Sequence, residues 1–138
     1  MTAEDYIQQQ VNAFKSTCID MACHINWSHD LSDIPKLDEA RDQAIEKIWP
    51  DGTPEELGNA AAIMWGAMFT KAIHGSYITR WGIDPESKTP IVIVKCGQNG
   101  LQVKALLVGA QSFNNGQLFT DTWTELKKEL DAAGAETI

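Results

Sequence analysis

The stretch IHGSYITRWGIDPESKTPIVIVKC, from Ile73 to Cys96, is where the chain changes its period. Upstream of it, apolar residues recur every three or four positions. Within it, Tyr77, Thr79 and Trp81 alternate with Ile78 and Arg80, as in a half-buried strand. Asp84-Pro85-Glu86-Ser87-Lys88 then reads as a turn. Pro90-Ile91-Val92-Ile93-Val94-Lys95-Cys96 is a β-branched run of the kind that fills strands. The two strands should pair as an antiparallel hairpin. Without this stretch the chain would read as all-helical; with it the class is α+β.

Helical patterns lie on both sides. Ile7, Val11, Phe14, Cys18, Met21 and Ile25 step by 4, 3, 4, 3 and 4, which predicts a first helix from Ala3 to Trp27. Pro35 to Trp49 reads as a second, with Leu37, Ala40, Ala44, Ile45 and Ile48 on its apolar face and Pro50-Asp51-Gly52 as its stop. Thr53-Pro54-Glu55-Glu56 is a capping box with proline in the first turn. It starts a third helix that should end at His74, before Gly75. This helix is apolar nearly all round from Ala60 to Phe69, which marks it as central. Its Gly66 predicts close approach of another element.

Gly97-Gln98-Asn99-Gly100 is a tight turn. Residues 101–113 fit a third strand through Leu101, Val103, Ala105 and Leu107. They fit a helix better, through Val103, Leu106, Leu107, Ala110 and Phe113. A last helix is expected from Leu118 to Ala132, with a frayed tail. The expected architecture is one α+β domain over residues 1–138: about five helices around a small antiparallel hairpin or three-stranded sheet.

The chain has 138 residues, enough to bury a core without disulfide or metal. Its three cysteines cannot all pair, and they read as small buried apolar residues. No window reaches the ~20 apolar residues of a membrane span. The start MTAEDYIQQQ lacks the basic and apolar segments of a signal peptide, so a cytoplasmic location is expected.

The net charge of −8 is unevenly spread. Residues 1–57 hold 12 acidic and 4 basic side chains; residues 58–138 hold 7 of each. Such an excess argues against nucleic acid or an anionic membrane as partner and permits a basic partner protein. On the second helix, Asp38, Glu39, Asp42 and Glu46 fall within about 100° of one another. They form an acidic ridge opposite the core stripe, with Lys36, Arg41 and Lys47 off it. Trp27 and Trp49 end the first two helices beside polar loops, where aromatics serve as interface anchors or as caps over a core edge. These six residues, Asp38, Glu39, Asp42, Glu46, Trp27 and Trp49, are the candidate partner-binding set.

Catalytic constellations are weaker. Cys18, Cys23, His24 and His29 have nominal zinc spacing, but helical positions five apart diverge by about 140°, so no metal site is expected. Cys96, His74 and Asp84 would make a nucleophile, base and orienter only if the fold gathered them. No phosphate-binding glycine loop is present. Neither a catalytic residue nor a cofactor is therefore assigned.

From Leu57 to Leu130 the order of features resembles small bacterial domains of unknown function of the DUF3806 kind. The features are a glycine-containing central helix with Gly66, the stop at Gly75, an aromatic strand with Trp81, a β-branched strand after Pro90, a helix ending in Asn115-Gly116, and a final amphipathic helix. That pattern usually carries a second glycine four residues after the first, followed by glutamate; Thr70 and Lys71 stand there instead. The usual double glycine before the tryptophan is reduced to Gly75. Several such domains lie near polymorphic-toxin loci as immunity proteins. The resemblance implies a cytosolic binding role. With the acidic surface beside it, the favoured reading is a non-enzymatic protein-binding domain, in its most concrete form an immunity-type protein that neutralises a toxin through that surface. The alternative is a small enzyme or ligand-binding domain with a pocket between the hairpin and the central helix. A homodimer through the first helix is a third arrangement that the stripe permits.

Overall fold

A computed structural model describes residues 2–20, 22, 25–48 and 55–138. The elements run α1 (Ala3–Asp20), α2 (Asp33–Ile48), α3 (Glu55–His74), β1 (Thr79–Ile83), β2 (Pro90–Cys96), β3 (Asn99–Val103), α4 (Ala105–Asn115) and α5 (Phe119–Ala133). The class is α+β, with five helices and one antiparallel sheet in the order β1-β2-β3 among the described residues.

Helix α3 is the centre, touching α1, α2, α4 and β2. Its Trp65, Met68, Phe69, Ala72 and Ile73 are buried, as its all-round apolar sequence requires. From α1, Ile7, Val11, Phe14 and Cys18 enter the same core at the predicted spacing. Phe14 stands edge-on to Trp65 at 4.6 Å and to Trp27 at 5.0 Å between ring centroids. Truncating such a ring to alanine costs about 3–5 kcal/mol. The indole N–H of Trp65 donates to the Leu37 carbonyl at 3.2 Å, which ties α3 to α2.

Helix α1 is shorter than the sequence pattern predicts. It stops at Asp20, and Ala22 takes a left-handed φ of 53° while its N–H returns to the Ile19 carbonyl. Trp27 therefore follows a reversal of the chain and packs back onto Phe14 instead of ending a helix. Apolar spacing continues to Ile25 because Ile25 and Trp27 still touch the core, though from a loop.

Residues 99–115 resolve the ambiguity by being both structures in turn. Leu101 and Val103 face inward on β3, paired with Val94 and Val92, and the chain then enters α4. Gly97, at φ 63°, opens the two-residue hairpin loop with Gln98, where a positive φ is required. A close helix approach lies on α4: a Cβ on Gly109 would sit 2.0 Å from the Ala62 carbonyl oxygen of α3. The sequence pointed to Gly66 for this role. Gly66, one turn beyond Ala62 on the same helix, is buried.

The segment after α5 is held rather than frayed. The Ile78 N–H donates to the Glu136 carbonyl at 2.8 Å, and the Glu136 N–H donates to the Lys95 carbonyl at 2.9 Å. Residues 135–137 thus wedge into the end where β1 and β2 diverge, with bridges from Ala135 to Cys96 and from Thr137 to Tyr77.

Candidate docking surface

One turn of α2 holds the junction between α4 and α5. The Asp38 carboxylate accepts the backbone N–H groups of Phe119 at 2.6 Å and Thr120 at 3.1 Å, and the Thr120 hydroxyl at 2.6 Å. Leu118, at the N-cap of α5, offers no side-chain acceptor, so Asp38 caps that helix from across the fold. Three residues on, Arg41 is buried. It donates to the Ser112 hydroxyl at 3.1 Å and to the Gln117 carbonyl at 3.4 Å, beside the end of α4. An anion thus meets a helix start and a cation a helix end, each complementary to the local dipole.

The acidic ridge therefore divides. Asp38 is half-buried and engaged inside the fold. Glu39, Asp42 and Glu46 are exposed, Asp42 to 69% of its side chain although 3.0 Å from the Arg41 guanidinium. Ile45 lies at the edge of this group, nearest Asp42, and is 43% exposed. The sequence placed it on the apolar face. On the helical wheel it is about 100° from Ala44, beyond the stripe of Leu37, Ala40 and Ala44 that enters the core. Leu118, also exposed, follows the Gln117 carbonyl that Arg41 holds, so a second apolar side chain lies on this side of α2. The surface is a set of carboxylates flanked on one side by exposed aliphatic groups. Ile45 and Leu118 do not stand out in the sequence, since only long-range contacts reveal which stripe residues go uncovered.

Trp27 is half-buried against Phe14, and Trp49 lies outside the described residues. The acidic flank before α2 is also structural. Asp33 is buried; its carboxylate accepts the Ser28 N–H at 2.8 Å and the His29 N–H at 2.7 Å, with Lys36 at 3.3 Å. Asp30 accepts from the Ser32 hydroxyl and N–H, which hold its carboxyl below the ordinary value.

The residues considered for nucleophilic chemistry have separate partners. His74 shares a hydrogen bond with the Thr79 hydroxyl and stacks on Trp81 at 4.6 Å. Burial, and then the charge of Lys71, push its pKa down. Asp84 closes the β1–β2 turn, accepting the Glu86 N–H at 3.1 Å and the Ser87 hydroxyl at 2.9 Å, with Lys104 at 3.4 Å. These contacts hold its carboxyl below the ordinary value. The Cys96 thiol is buried and points to the Val94 carbonyl at 3.6 Å. Of the residues weighed for zinc, Cys23 and His24 lie outside the described set, Cys18 is in the core, and His29 contacts Lys15 at 3.0 Å. Among the described residues no group of three or more His, Cys, Asp or Glu could hold a metal, and no helix is long and apolar enough to cross a membrane.

Compared with protein-family models, curated proteins and solved structures, the chain shows no match.

Proposed function

We propose that the chain is a non-enzymatic, cytoplasmic protein-binding domain whose outer α2 face docks a basic partner protein. The observation that carries this reading is Ile45, exposed on a helix whose neighbouring outward residues are Glu39, Asp42 and Glu46. Carboxylates steer a cationic partner and raise its association rate, while the aliphatic groups give the docked state apolar area to bury. In its most concrete form the domain is an immunity-type protein that neutralises a toxin by covering it. The resemblance of residues 57–130 to such domains supports that form, and the uneven charge of the chain supports a basic partner.

The test separates the steering charges from the fold. Reversing Asp42 and Glu46 to lysine leaves Asp38 and its cap untouched. Wild type and the double variant are used to capture proteins from a bacterial lysate, and the captured protein is then studied pure by surface plasmon resonance at two salt concentrations. Association with the double variant should slow by about tenfold at low salt and lose most of its salt dependence. An unchanged rate and an unchanged salt slope would sink the proposal.

A further inference from the structure

A cleft of ≈ 310 Å³ opens on the outer face of the sheet, away from the core. It is lined by Ile78, Arg80, Ile93 and Lys95, with the β2–β3 turn at one end. Strand alternation explains the lining. Val92, Val94 and Cys96 point into the core, so Ile91, Ile93 and Lys95 point to the other face, where Ile91 and Ile93 are themselves buried and Lys95 is exposed; register puts Arg80 opposite Ile93. Two glycines make room for Ile93, and one of them, Gly100, lines the cleft. A Cβ on Gly82 would stand 2.9 Å from the Ile93 Cδ1, and one on Gly100 would stand 2.5 Å from its Cγ2. Ile93 therefore lies down between neighbouring strands that carry no side chain there, and a hollow remains where a flat sheet would be crowded.

The charge of this hollow runs against the rest of the chain. The protein carries 19 acidic and 11 basic side chains, yet the described lining holds two cations and no carboxylate. Lys95 is 53% exposed, and its carboxylate neighbour Glu136 is 3.5 Å away and itself exposed, an arrangement that ties up little of its charge. Ile78, 42% exposed, adds an aliphatic wall. We infer that this cleft binds a short acidic peptide segment of a partner protein, one carrying an aliphatic side chain for Ile78, over the nearly covered Ile93, and carboxylates for Arg80 and Lys95. The volume is at the small end of ligand pockets, about right for two or three residues. The site is on the sheet and is independent of the α2 surface.

The probe is a short fluorescent peptide alternating glutamate and leucine, with a lysine-for-glutamate version as its control. Binding is read by fluorescence polarisation and placed by amide chemical shifts in the full chain. The acidic peptide should bind and move the resonances of Ile78, Arg80, Lys95 and Gln98. Arg80→Glu with Lys95→Glu should weaken it by about tenfold or more. Ile78→Ser should weaken it with the salt dependence retained, because it removes only the apolar wall. Asp42→Lys with Glu46→Lys should not weaken it, which separates this site from the α2 surface. Thermal melts check that each variant is folded. Equal binding of the lysine peptide, shifts confined to another surface, or affinity unmoved by the Arg80 and Lys95 reversals would overturn the inference. So would self-association in sedimentation that those reversals abolish, since the occupant would then be a second copy of the chain.

Discussion

Replacing Asp38 by alanine removes the only side-chain cap seen on α5 among the described residues. Three hydrogen bonds go at once: from the Phe119 N–H at 2.6 Å, the Thr120 N–H at 3.1 Å and the Thr120 hydroxyl. Loss of an N-cap costs about 1 kcal/mol, and loss of a negative charge at a helix start about 0.5–1 kcal/mol. Phe119 is fully buried, so its freed N–H is poorly placed to find water, which adds about 1 kcal/mol. The expected total is about 3 kcal/mol. For 138 residues, at about 2.1 cal/mol/K each, that lowers Tm by about 10 °C. Asp38→Asn keeps one acceptor but loses the charge and turns an NH2 donor toward a backbone N–H, because Phe119 and Thr120 bond to different carboxylate oxygens, so it should cost more than half as much. Urea and thermal unfolding followed by circular dichroism measure both variants, and a cycle with Thr120→Val isolates the hydroxyl contribution. Glu39→Ala, one residue away and exposed, should change stability by less than about 0.5 kcal/mol. If Asp38→Ala and Glu39→Ala behave alike, Asp38 is a surface carboxylate, the ridge is whole, and the division of α2 into an engaged and a free side is wrong.

Stability should fall with pH below neutrality. Burial and nearby lysines lower the pKa of His29 and His74 in the folded chain, so between those values and the ordinary value of about 6.5 the unfolded chain holds more protons. The contribution is complete above about 6.5 and is lost as pH drops through the folded values; a urea midpoint independent of pH from 7 to 5 would contradict it. Asp30 and Asp84, whose carboxyls are held low by hydrogen bonds, should extend the loss below about 3.9. Gly109→Ala should destabilise by about 1–3 kcal/mol or more, because its methyl would meet the Ala62 carbonyl oxygen at 2.0 Å and force α3 and α4 apart; an unchanged thermal midpoint would mean the helices are farther apart. The Asp42→Lys, Glu46→Lys double variant should melt within about 1 kcal/mol of wild type, since it turns the Asp38–Asp42 repulsion into attraction, leaves positions 42 and 46 a like-charge pair, and loses one exposed contact to Arg41.

Most of the fold was legible because it is written in local periodicity. The stripe Ile7, Val11, Phe14, Cys18 gave α1, Gly75 marked the end of α3, and the β-branched run gave β2; the capping box begins at Thr53 and Pro54, outside the described residues. What was illegible depended on contacts far along the chain. The end of α1 is one case: Ile25 and Trp27 keep apolar spacing while packing from a loop, and periodicity does not distinguish a helix from a chain that folds back onto the same core. Residues 101–113 are another. A five-residue strand followed at once by a helix leaves a sequence window that satisfies both periods, and only pairing of Leu101 with Val94 decides where one ends. The tail after α5 read as frayed because its anchors are backbone groups of Ile78 and Lys95, which leave no mark in side-chain chemistry.

The acidic residues show why charge clustering in a sequence is a weaker guide to a surface than apolar spacing is to a core. A helical wheel assigns Asp38, Glu39, Asp42 and Glu46 to one face with equal weight. The fold does not, because Asp38 meets the start of a helix 81 positions later, and that meeting is set by packing of α2 on α5. Asp33 and Asp84 repeat the pattern, each satisfying backbone N–H groups at a turn. Short carboxylates suit such turns and helix starts, because they accept two or three hydrogen bonds and reach no farther than the adjacent backbone. The longer glutamates of the same segment, Glu39 and Glu46, stay in solvent. The charge still free to meet a partner is therefore the part carried by Glu39, Glu46 and Asp42, beside Ile45, which the α2 core stripe leaves uncovered. Where a chain of this kind concentrates aspartate at helix ends and glutamate on outward faces, the glutamates are the residues to mutate first in a search for its partner.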